Sequence, residues 1–209
     1  MHRPPRIAVL ISGGGSTLQN LLDRVATGAL PVEIAVVISS RADAYGLQRA
    51  RRAGVPELVV ARKEYPDAAR FNDALHAALE PFAVDLVVLG GFLSLFQPRT
   101  RYAGRVMNIH PALIPAFCGA GFYGRKVHQA VLDSGVRISG CTVHFADDQY
   151  DHGPIILQGT VPVLDDDTPE TLAARVHTLE NELYPEAIRL WAEGRLQIAG
   201  RRVRIQPQS

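Results

Sequence analysis

The fold is decided by residues 6–16, which read RIAVLISGGGS. Residues 6–11 form a continuous, mainly apolar run, which is typical of a strand that is buried on both faces. Three glycines and two serines end this run, and residues 17–25 follow with the spacing of an amphipathic helix. A strand, a glycine-rich turn and a helix in this order predict the start of an α/β fold.

The same alternation continues through the first half of the chain. We predict further strands at residues 32–39, 57–61 and 85–89, and helices at residues 44–53 and 67–79. Because most of these strands are apolar on both faces, they predict a doubly wound, mostly parallel sheet.

The second half of the chain predicts an antiparallel strand pair and a long helix. Residues 140–145 and 155–161 flank a polar turn and are expected to pair antiparallel. A helix is predicted at residues 125–133, and a second from Thr168 to about residue 193, with proline at its first helical position. Pro185 is expected to kink or break this second helix.

Composition and charge argue against several classes of protein. The chain has 209 residues, 47% of them hydrophobic and 21% charged, and a formal net charge of +1. No overall field therefore favours nucleic acid or an anionic membrane. No apolar run approaches the roughly 20 residues of a membrane span, and the N-terminus lacks a secretory pattern, so we expect a cytoplasmic protein. Cys118 and Cys141 suggest neither a disulfide framework nor a metal cluster.

The glycine-rich turn is a candidate phosphate site. A turn at the start of a helix presents free backbone N–H groups and the positive end of the helix dipole to an anion. The turn is not a dinucleotide fingerprint, because Leu18 stands where the third glycine would be. The alternative is a tight connection in which glycine serves only to allow a positive φ.

Residues 107–115, which read MNIHPALIP, contain the candidate catalytic groups. Asn108 and His110 are two residues apart on a predicted strand, so their side chains point to the same face. An amide and an imidazole there can bind a developing oxyanion and move a proton. Asp151, in the polar turn, is the candidate partner that stabilises the imidazolium form of His110. The alternative is that the polar pair only satisfies backbone groups of a loop.

This trio predicts acyl or related group transfer through an oxyanion, without a covalent intermediate. The spacing of His128 and His144 indicates no metal site, so both are interpreted as structural. Cys118 has no base nearby in sequence, which argues against a nucleophilic role.

Several motifs, in order along residues 6–193, resemble the phosphoribosylglycinamide formyltransferase family of the folate-dependent formyltransferase superfamily. They are residues 9–16, 43–47, 89–93, 108–115, 140–145 and 151–158. The resemblance implies transfer of a formyl group from 10-formyltetrahydrofolate to the amine of glycinamide ribonucleotide, in purine biosynthesis, without a metal. It also implies small-molecule partners and a monomer or homodimer.

The resemblance further implies one domain over residues 1–209. Residues 1–100 would be its ribotide phosphate-binding half, residues 101–195 its catalytic and folate-binding half, and residues 196–209 a C-terminal tail. The charged run at residues 201–204 is interpreted as part of a solvated tail.

Site roles are also implied by the resemblance. Asn108 and protonated His110 would stabilise the oxyanion, and Asp151 would keep His110 charged. The implied ribotide-binding residues are Gly14, Gly15, Ser16, Thr17, Gly91, Pro111, His177 and Glu180. The implied folate-binding residues are Phe92, Leu93, Ser94, Leu95, Phe96, Asn108, Asp147, Asp148, Gln149, Tyr150 and Asp151, together with Arg70, which lies out of register with the family's arginine. Thr17 and Ser94 stand where asparagine and arginine are common in the family.

Three alternatives share parts of this pattern. A hydrolase that deformylates the same folate carries an extra N-terminal domain, for which the chain leaves no room. Methionyl-tRNA formyltransferase carries a C-terminal domain for RNA, and only about 15 residues follow the long helix here. A non-catalytic folate- or nucleotide-binding module would be favoured by loss of a trio residue, and all three residues are present.

Overall fold

A computed structural model describes residues 3–208 of the chain. Met1, His2 and Ser209, which end the predicted domain, lie outside the described residues. The chain divides between Met107 and Asn108 into two compact units. Within residues 3–208, no helix has both the length and the apolar character that a membrane crossing requires.

The first unit is built on a parallel sheet. Its strands are β1 (Arg6–Ile11), β2 (Glu33–Ser39), β3 (Glu57–Val59) and β4 (Leu86–Leu89), in the order β3-β2-β1-β4. β1 pairs in parallel with β2 and β4, and β2 pairs in parallel with β3. Nearly every residue of β1, β2 and β4 is buried, which explains their continuous apolar runs. The predicted parallel sheet is confirmed.

Three helices cover this sheet: α1 (Ser16–Ala26), α2 (Tyr45–Arg52) and α3 (Ala68–Leu79). The carboxylate of Asp67 accepts the backbone N–H of Arg70 and so caps the start of α3. Such a cap contributes about 1 kcal/mol to helix stability. α3 buries Phe71, Leu75 and Leu79, which lie four residues apart along one face.

The second unit continues from β5 (Val106–His110), which begins in the last two residues of the first. Its other strands are β6 (Ile138–Phe145), β7 (Ile155–Pro162), β8 (Leu196–Ala199) and β9 (Arg202–Ile205), in the order β5-β6-β7-β9-β8. β6 and β7 pair antiparallel, as predicted, with a register shift between Val143 and His144. The predicted α/β class with an antiparallel pair is therefore confirmed.

Two glycines let the elements of the second unit approach closely. A Cβ on Gly140 of β6 would lie 1.9 Å from the carbonyl oxygen of Gly159 in β7. A Cβ on Gly159 would lie 2.9 Å from a methyl carbon of Leu179, which belongs to α5 (Pro169–Ala192). Helix α4 (Arg125–Asp133) matches its predicted bounds. Glycine at position 140 therefore allows β6 to lie close to β7, and glycine at position 159 allows the Leu179 side chain of α5 to pack against β7.

The long helix α5 starts as predicted but does not break at Pro185. Thr168 and Thr171 form a reciprocal capping box, with Pro169 at the first helical position. The expected break at Pro185 is wrong, because the helix continues to Ala192. Buried side chains lie on both sides of the proline, and their packing compensates for the missing N–H.

The C-terminal segment is a second correction. The sequence predicts a solvated tail, whereas β8 and β9 form an antiparallel hairpin, in register from Leu196 with Ile205 to Ala199 with Arg202. Gly200, with φ of 61°, provides the left-handed residue of the connecting turn. The charged residues in this hairpin hide the short strand pattern.

Candidate active site

The structure brings Asn108, His110 and Asp151 together in the second unit. Asn108 Nδ2 donates to Asp151 Oδ1 at 3.3 Å, and His110 Nδ1 lies 3.4 Å from Asp151 Oδ2. The His110 and Asp151 side chains are only 4% and 8% exposed. A partly buried amide, a buried imidazole and a buried carboxylate therefore form one cluster at the end of β5.

The second nitrogen of His110 is also occupied. Nε2 lies 2.8 Å from the carbonyl oxygen of Phe117, which can only accept, so Nε2 carries a hydrogen. Nδ1 faces the carboxylate of Asp151, which accepts as well. An imidazolium, with a hydrogen on each nitrogen, satisfies both contacts. The Asp151 carboxylate is therefore placed to stabilise a positive charge on His110.

Asp151 is held as a carboxylate. Burial raises its pKa, but the neighbouring His144, the charge of His110 and the N–H of Gly119 together hold the pKa below its ordinary value. The Gly119 N–H donates to Oδ2 at 2.9 Å. Asp151 also has a left-handed φ of 53°, which is uncommon for a residue other than glycine. Both its charge and its backbone are thus fixed by neighbours.

His144 is a member of this cluster that the sequence analysis missed. Its Nδ1 donates to the Phe145 carbonyl at 2.9 Å, so in the neutral ring Nε2 is an acceptor. Asn108 Nδ2 lies 3.2 Å from that Nε2, and His144 is 1% exposed. The two N–H hydrogens of Asn108 are therefore directed at His144 and Asp151. The available signal was a histidine in the strand that leads into the turn of Asp151.

Thr142 and Gln158, which the sequence analysis also missed, fix the chain after His110. Thr142 Oγ1 donates to the Ala112 carbonyl at 2.8 Å and accepts the Ile114 N–H at 3.1 Å. Gln158 Nε2 donates to the Ile114 carbonyl at 3.0 Å. The segment that follows β5 is therefore hydrogen-bonded to both β6 and β7.

The two cysteines are held as thiols. Burial, with a smaller effect of Asp151, raises the pKa of Cys118, and its Sγ donates to the Pro115 carbonyl. Burial, reinforced by Glu180, raises the pKa of Cys141 to about 12. Because the thiolate is the nucleophile, neither cysteine is activated for covalent catalysis.

The glycine-rich turn of the first unit lies between β1 and α1. Gly46 N–H donates to the Gly13 carbonyl at 3.1 Å, and Arg49 Nε donates to the Gly14 carbonyl at 2.9 Å. These contacts from α2 occupy carbonyl oxygens of the turn, while the first N–H groups of α1 have no partner within the helix. Ser16 and Thr17 are the first two residues of α1. The turn therefore has the polarity of an anion site.

The backbone conformation and the close packing at position 15 both require glycine. Its φ is 71°, and a Cβ there would lie 2.7 Å from the Cα of Gly46. A Cβ on Gly14 would meet nothing within 4 Å. The requirement for a tight connection therefore explains the glycine at position 15, whereas the structure does not require glycine at position 14.

We expect Gly15→Ala to destabilise the protein by about 1–3 kcal/mol, because it adds both backbone strain and a steric clash. Gly14→Ala is the matched control and should change the free energy of unfolding little. Urea denaturation of both variants measures the difference. Equal losses would contradict the assignment of strain to Gly15 alone.

The implied folate segment of the first unit is held by two side chains that the sequence analysis missed. Ser12 Oγ accepts the Leu93 N–H at 2.9 Å. The fully buried Asn72 donates to the Leu95 carbonyl at 3.1 Å and accepts the Gln97 N–H at 2.7 Å. These contacts fix the backbone that follows β4.

The side chains of that segment differ in accessibility. Phe92 stacks on Phe71 with ring centroids 6.2 Å apart, whereas Phe96 is 1% exposed and packs among core rings. Leu93 is 54% exposed, and Gly91 has a left-handed φ of 72°. The Leu93 side chain is therefore accessible, whereas Phe96 belongs to the core.

The other implied binding residues occupy surface and partly buried positions. Arg70 lies exposed in the first turn of α3. On α5, His177 Nδ1 lies 3.1 Å from Glu180 Oε2, and this hydrogen bond raises the pKa of His177. Asp147, Asp148, Gln149 and Tyr150 lie in the β6–β7 loop with Asp151. Among residues 3–208, no three His, Cys, Asp or Glu side chains converge in a way that could hold a metal ion.

Comparison with known proteins identifies the family. Residues 5–188 match the sequence model described as Formyl transferase. The chain belongs to the formyl transferase family. Within this family, the chain is 40% identical over 195 residues to phosphoribosylglycinamide formyltransferase of Haemophilus influenzae, covering 92% of this chain and 90% of that protein. It is 38% identical to the Escherichia coli protein of the same name, covering 92% and 89%.

A solved member of the formyl transferase family supports the same relationship. The crystal structure of glycinamide ribonucleotide transformylase 1 from Symbiobacterium toebii superposes with a TM-score of 0.91 at 50% identity, covering 98% of this chain and 95% of that one. The predicted fold and family are confirmed.

Proposed function

We propose that this protein transfers a formyl group from 10-formyltetrahydrofolate to the amine of 5-phosphoribosylglycinamide, a step of purine biosynthesis. The observation that carries the proposal is the buried cluster of Asn108, His110 and Asp151. It lies in a chain 40% identical, over nine-tenths of both lengths, to a protein named for this activity.

The cluster suits direct formyl transfer. The substrate amine attacks the formyl carbon, and the carbonyl oxygen becomes an oxyanion. The N–H groups of His110 and Asn108 stabilise that charge in a site from which water is largely excluded. As the tetrahedral intermediate collapses, the bond from the formyl carbon to N10 of the folate breaks, and N10 receives the proton that the attacking nitrogen loses.

Asp151 has two roles in this mechanism. Its carboxylate faces His110 and stabilises the imidazolium. It is also the nearest anionic group that can accept the proton of the attacking amine, directly or through a water, and pass it to N10. The lowered pKa of Asp151 keeps it ionised for both roles.

The oxyanion donors have internal partners in the ligand-free chain. His110 Nε2 donates to the Phe117 carbonyl, and Asn108 Nδ2 is directed at His144 and Asp151. A formyl oxygen that binds to these donors must replace such partners. The donor atoms are therefore in position before substrate binds. Their internal hydrogen bonds are then replaced by hydrogen bonds to the substrate.

The binding roles follow the family resemblance. We assign the ribotide phosphate to the N–H groups at Gly14, Gly15, Ser16 and Thr17, with Gly91, Pro111, His177 and Glu180 as further ribotide residues. We assign folate to residues 92–96 and 147–151, with Arg70 in a peripheral role. The anion-binding polarity of the turn before α1 supports the phosphate assignment.

Single-turnover formyl transfer tests the proposal. Purified protein is mixed with 10-formyltetrahydrofolate, with and without 5-phosphoribosylglycinamide, and folate absorbance is followed. We expect folate release only when the ribotide is present. Release without ribotide would indicate the hydrolase, and no release in either mixture would favour a binding module or another formyl acceptor.

A further inference from the structure

The loop between β6 and β7, residues 146–154, carries Asp151. At its C-terminal end the Phe145 N–H donates to the Pro154 carbonyl at 2.9 Å. A Cβ on Gly153 would lie 1.9 Å from the Phe145 carbonyl oxygen, so the loop returns in close contact with β6. Asp151 itself has a left-handed φ of 53°. The orientation of its carboxylate therefore depends on how the next residue, His152, is held.

Within the loop, Asp147 holds His152. One carboxylate oxygen of Asp147 accepts the Gln149 N–H at 2.9 Å, and the other lies 2.7 Å from His152 Nδ1. The contact between Asp147 and His152 therefore closes the loop around Asp151.

A second support for His152 comes from the C-terminal hairpin. Arg201, in the turn between β8 and β9, directs Nη1 at His152 Nε2 at 2.8 Å and donates from Nη2 to the His152 carbonyl at 3.0 Å. One guanidinium thus contacts both the ring and the backbone of the residue next to Asp151. Two contacts from one planar group fix orientation as well as distance.

The arginine also determines the tautomer of His152. A guanidinium only donates, so Nε2 must accept and carries no hydrogen. The ring hydrogen is then on Nδ1, where it is donated to Asp147. Carboxylate, imidazole and guanidinium form a continuous chain in which each of these contacts joins a donor to an acceptor.

We propose that Arg201 is a positioning residue for formyl transfer, which acts through His152 to hold Asp151 against His110. The inference rests on the proposed function, since it takes Asp151 as a catalytic group. It gives the β8–β9 hairpin a role in the reaction, although the hairpin contributes no residue to the catalytic cluster.

The test compares Arg201→Ala with Arg204→Ala. Arg204 is an exposed arginine of the same hairpin, in β9, and is the matched control. We expect Arg201→Ala to lower the single-turnover transfer rate about fivefold, with KM for both substrates within about twofold of the wild type. Arg201→Lys, which retains the charge but not the planar arrangement of donors, should restore part of the rate. Arg204→Ala should behave as the wild type.

A double-variant cycle shows whether the effect passes through His152. His152→Ala should lower the rate as Arg201→Ala does, and the double variant should lose little more. Full additivity of the two losses would overturn the proposal. So would an Arg201→Ala rate equal to that of Arg204→Ala, or a loss that only follows a reduced unfolding temperature.

A measurement independent of turnover separates this inference from the proposed function. In NMR spectra, the backbone amide signals of Asp151 and Gly119 should shift in Arg201→Ala and not in Arg204→Ala. Unmoved signals would overturn the positioning role even in an active enzyme. An inactive wild type would overturn the proposed function, whereas the amide shifts would still report whether Arg201 holds the loop.

Discussion

Replacement of His110 by alanine is expected to lower kcat by about a thousandfold, because it removes both the proton-bearing group and an oxyanion donor. KM should change much less, since the effect is on the transition state. Steady-state kinetics with both substrates, alongside circular dichroism of the folded variant, measures this. His110 is buried beside Asp151, so the variant should also be less stable, and assays belong below its unfolding temperature.

His76→Gln is the control for loss of a partly buried histidine. His76 lies on α3 in the first unit, where its Nε2 contacts the Gln97 carbonyl. We expect kcat to stay within about twofold of the wild type. If folded His110→Ala turned over at a similar rate, His110 would not be the oxyanion partner.

Asp151→Asn is expected to lower kcat by about a hundredfold, because a neutral amide neither stabilises the imidazolium nor accepts a proton. The substitution keeps the size of the side chain but replaces one acceptor oxygen by an NH2 group, so a loss of this size would report the charge together with one of the contacts to Asn108 and Gly119. A rate close to that of the wild type, in a variant with unchanged amide signals around Gly119, would contradict the catalytic assignment.

The effect of Asp151→Asn on the free energy of unfolding is also expected to depend on pH. Because the pKa of Asp151 is lower in the folded chain than in the unfolded one, its carboxylate stabilises the fold above the unfolded pKa of about 4. This contribution is lost as the pH falls through the folded pKa. The difference in unfolding free energy between wild type and Asp151→Asn should therefore be larger at about pH 7 than at about pH 3. A constant difference would show that the charge of Asp151 does not stabilise the fold.

Much of the fold could be predicted because its signals are local. Arg6–Ile11 and Arg125–Asp133 have the predicted bounds, since a buried parallel strand and an amphipathic helix each determine the pattern of their own residues. The placement of Asn108 and His110 on one face follows from the period of a strand and needs no tertiary information.

The parts that could not be predicted depend on long-range contacts. His144 reaches Asn108 across 36 positions of sequence, and Asn72 reaches Gln97 across 25. Neither partner can be inferred from the residue type. A kink or break is expected at Pro185 from local propensity alone, which does not include the buried side chains on both sides of it. The glycine at position 15 was ambiguous for a similar reason, since its neighbour Gly46 is distant in sequence.

The carbonyl of Phe117 has a consequence for the design of inhibitors. It is an internal competitor that already accepts from His110 at 2.8 Å. A compound whose oxygen accepts from His110 must first break the hydrogen bond to the Phe117 carbonyl. Its measured affinity therefore reports the difference in free energy between the new hydrogen bond and the one that it replaces. Compounds that also make favourable contacts with the displaced residues after Pro115 should therefore bind more tightly. This gain would not be expected if those residues were treated as fixed.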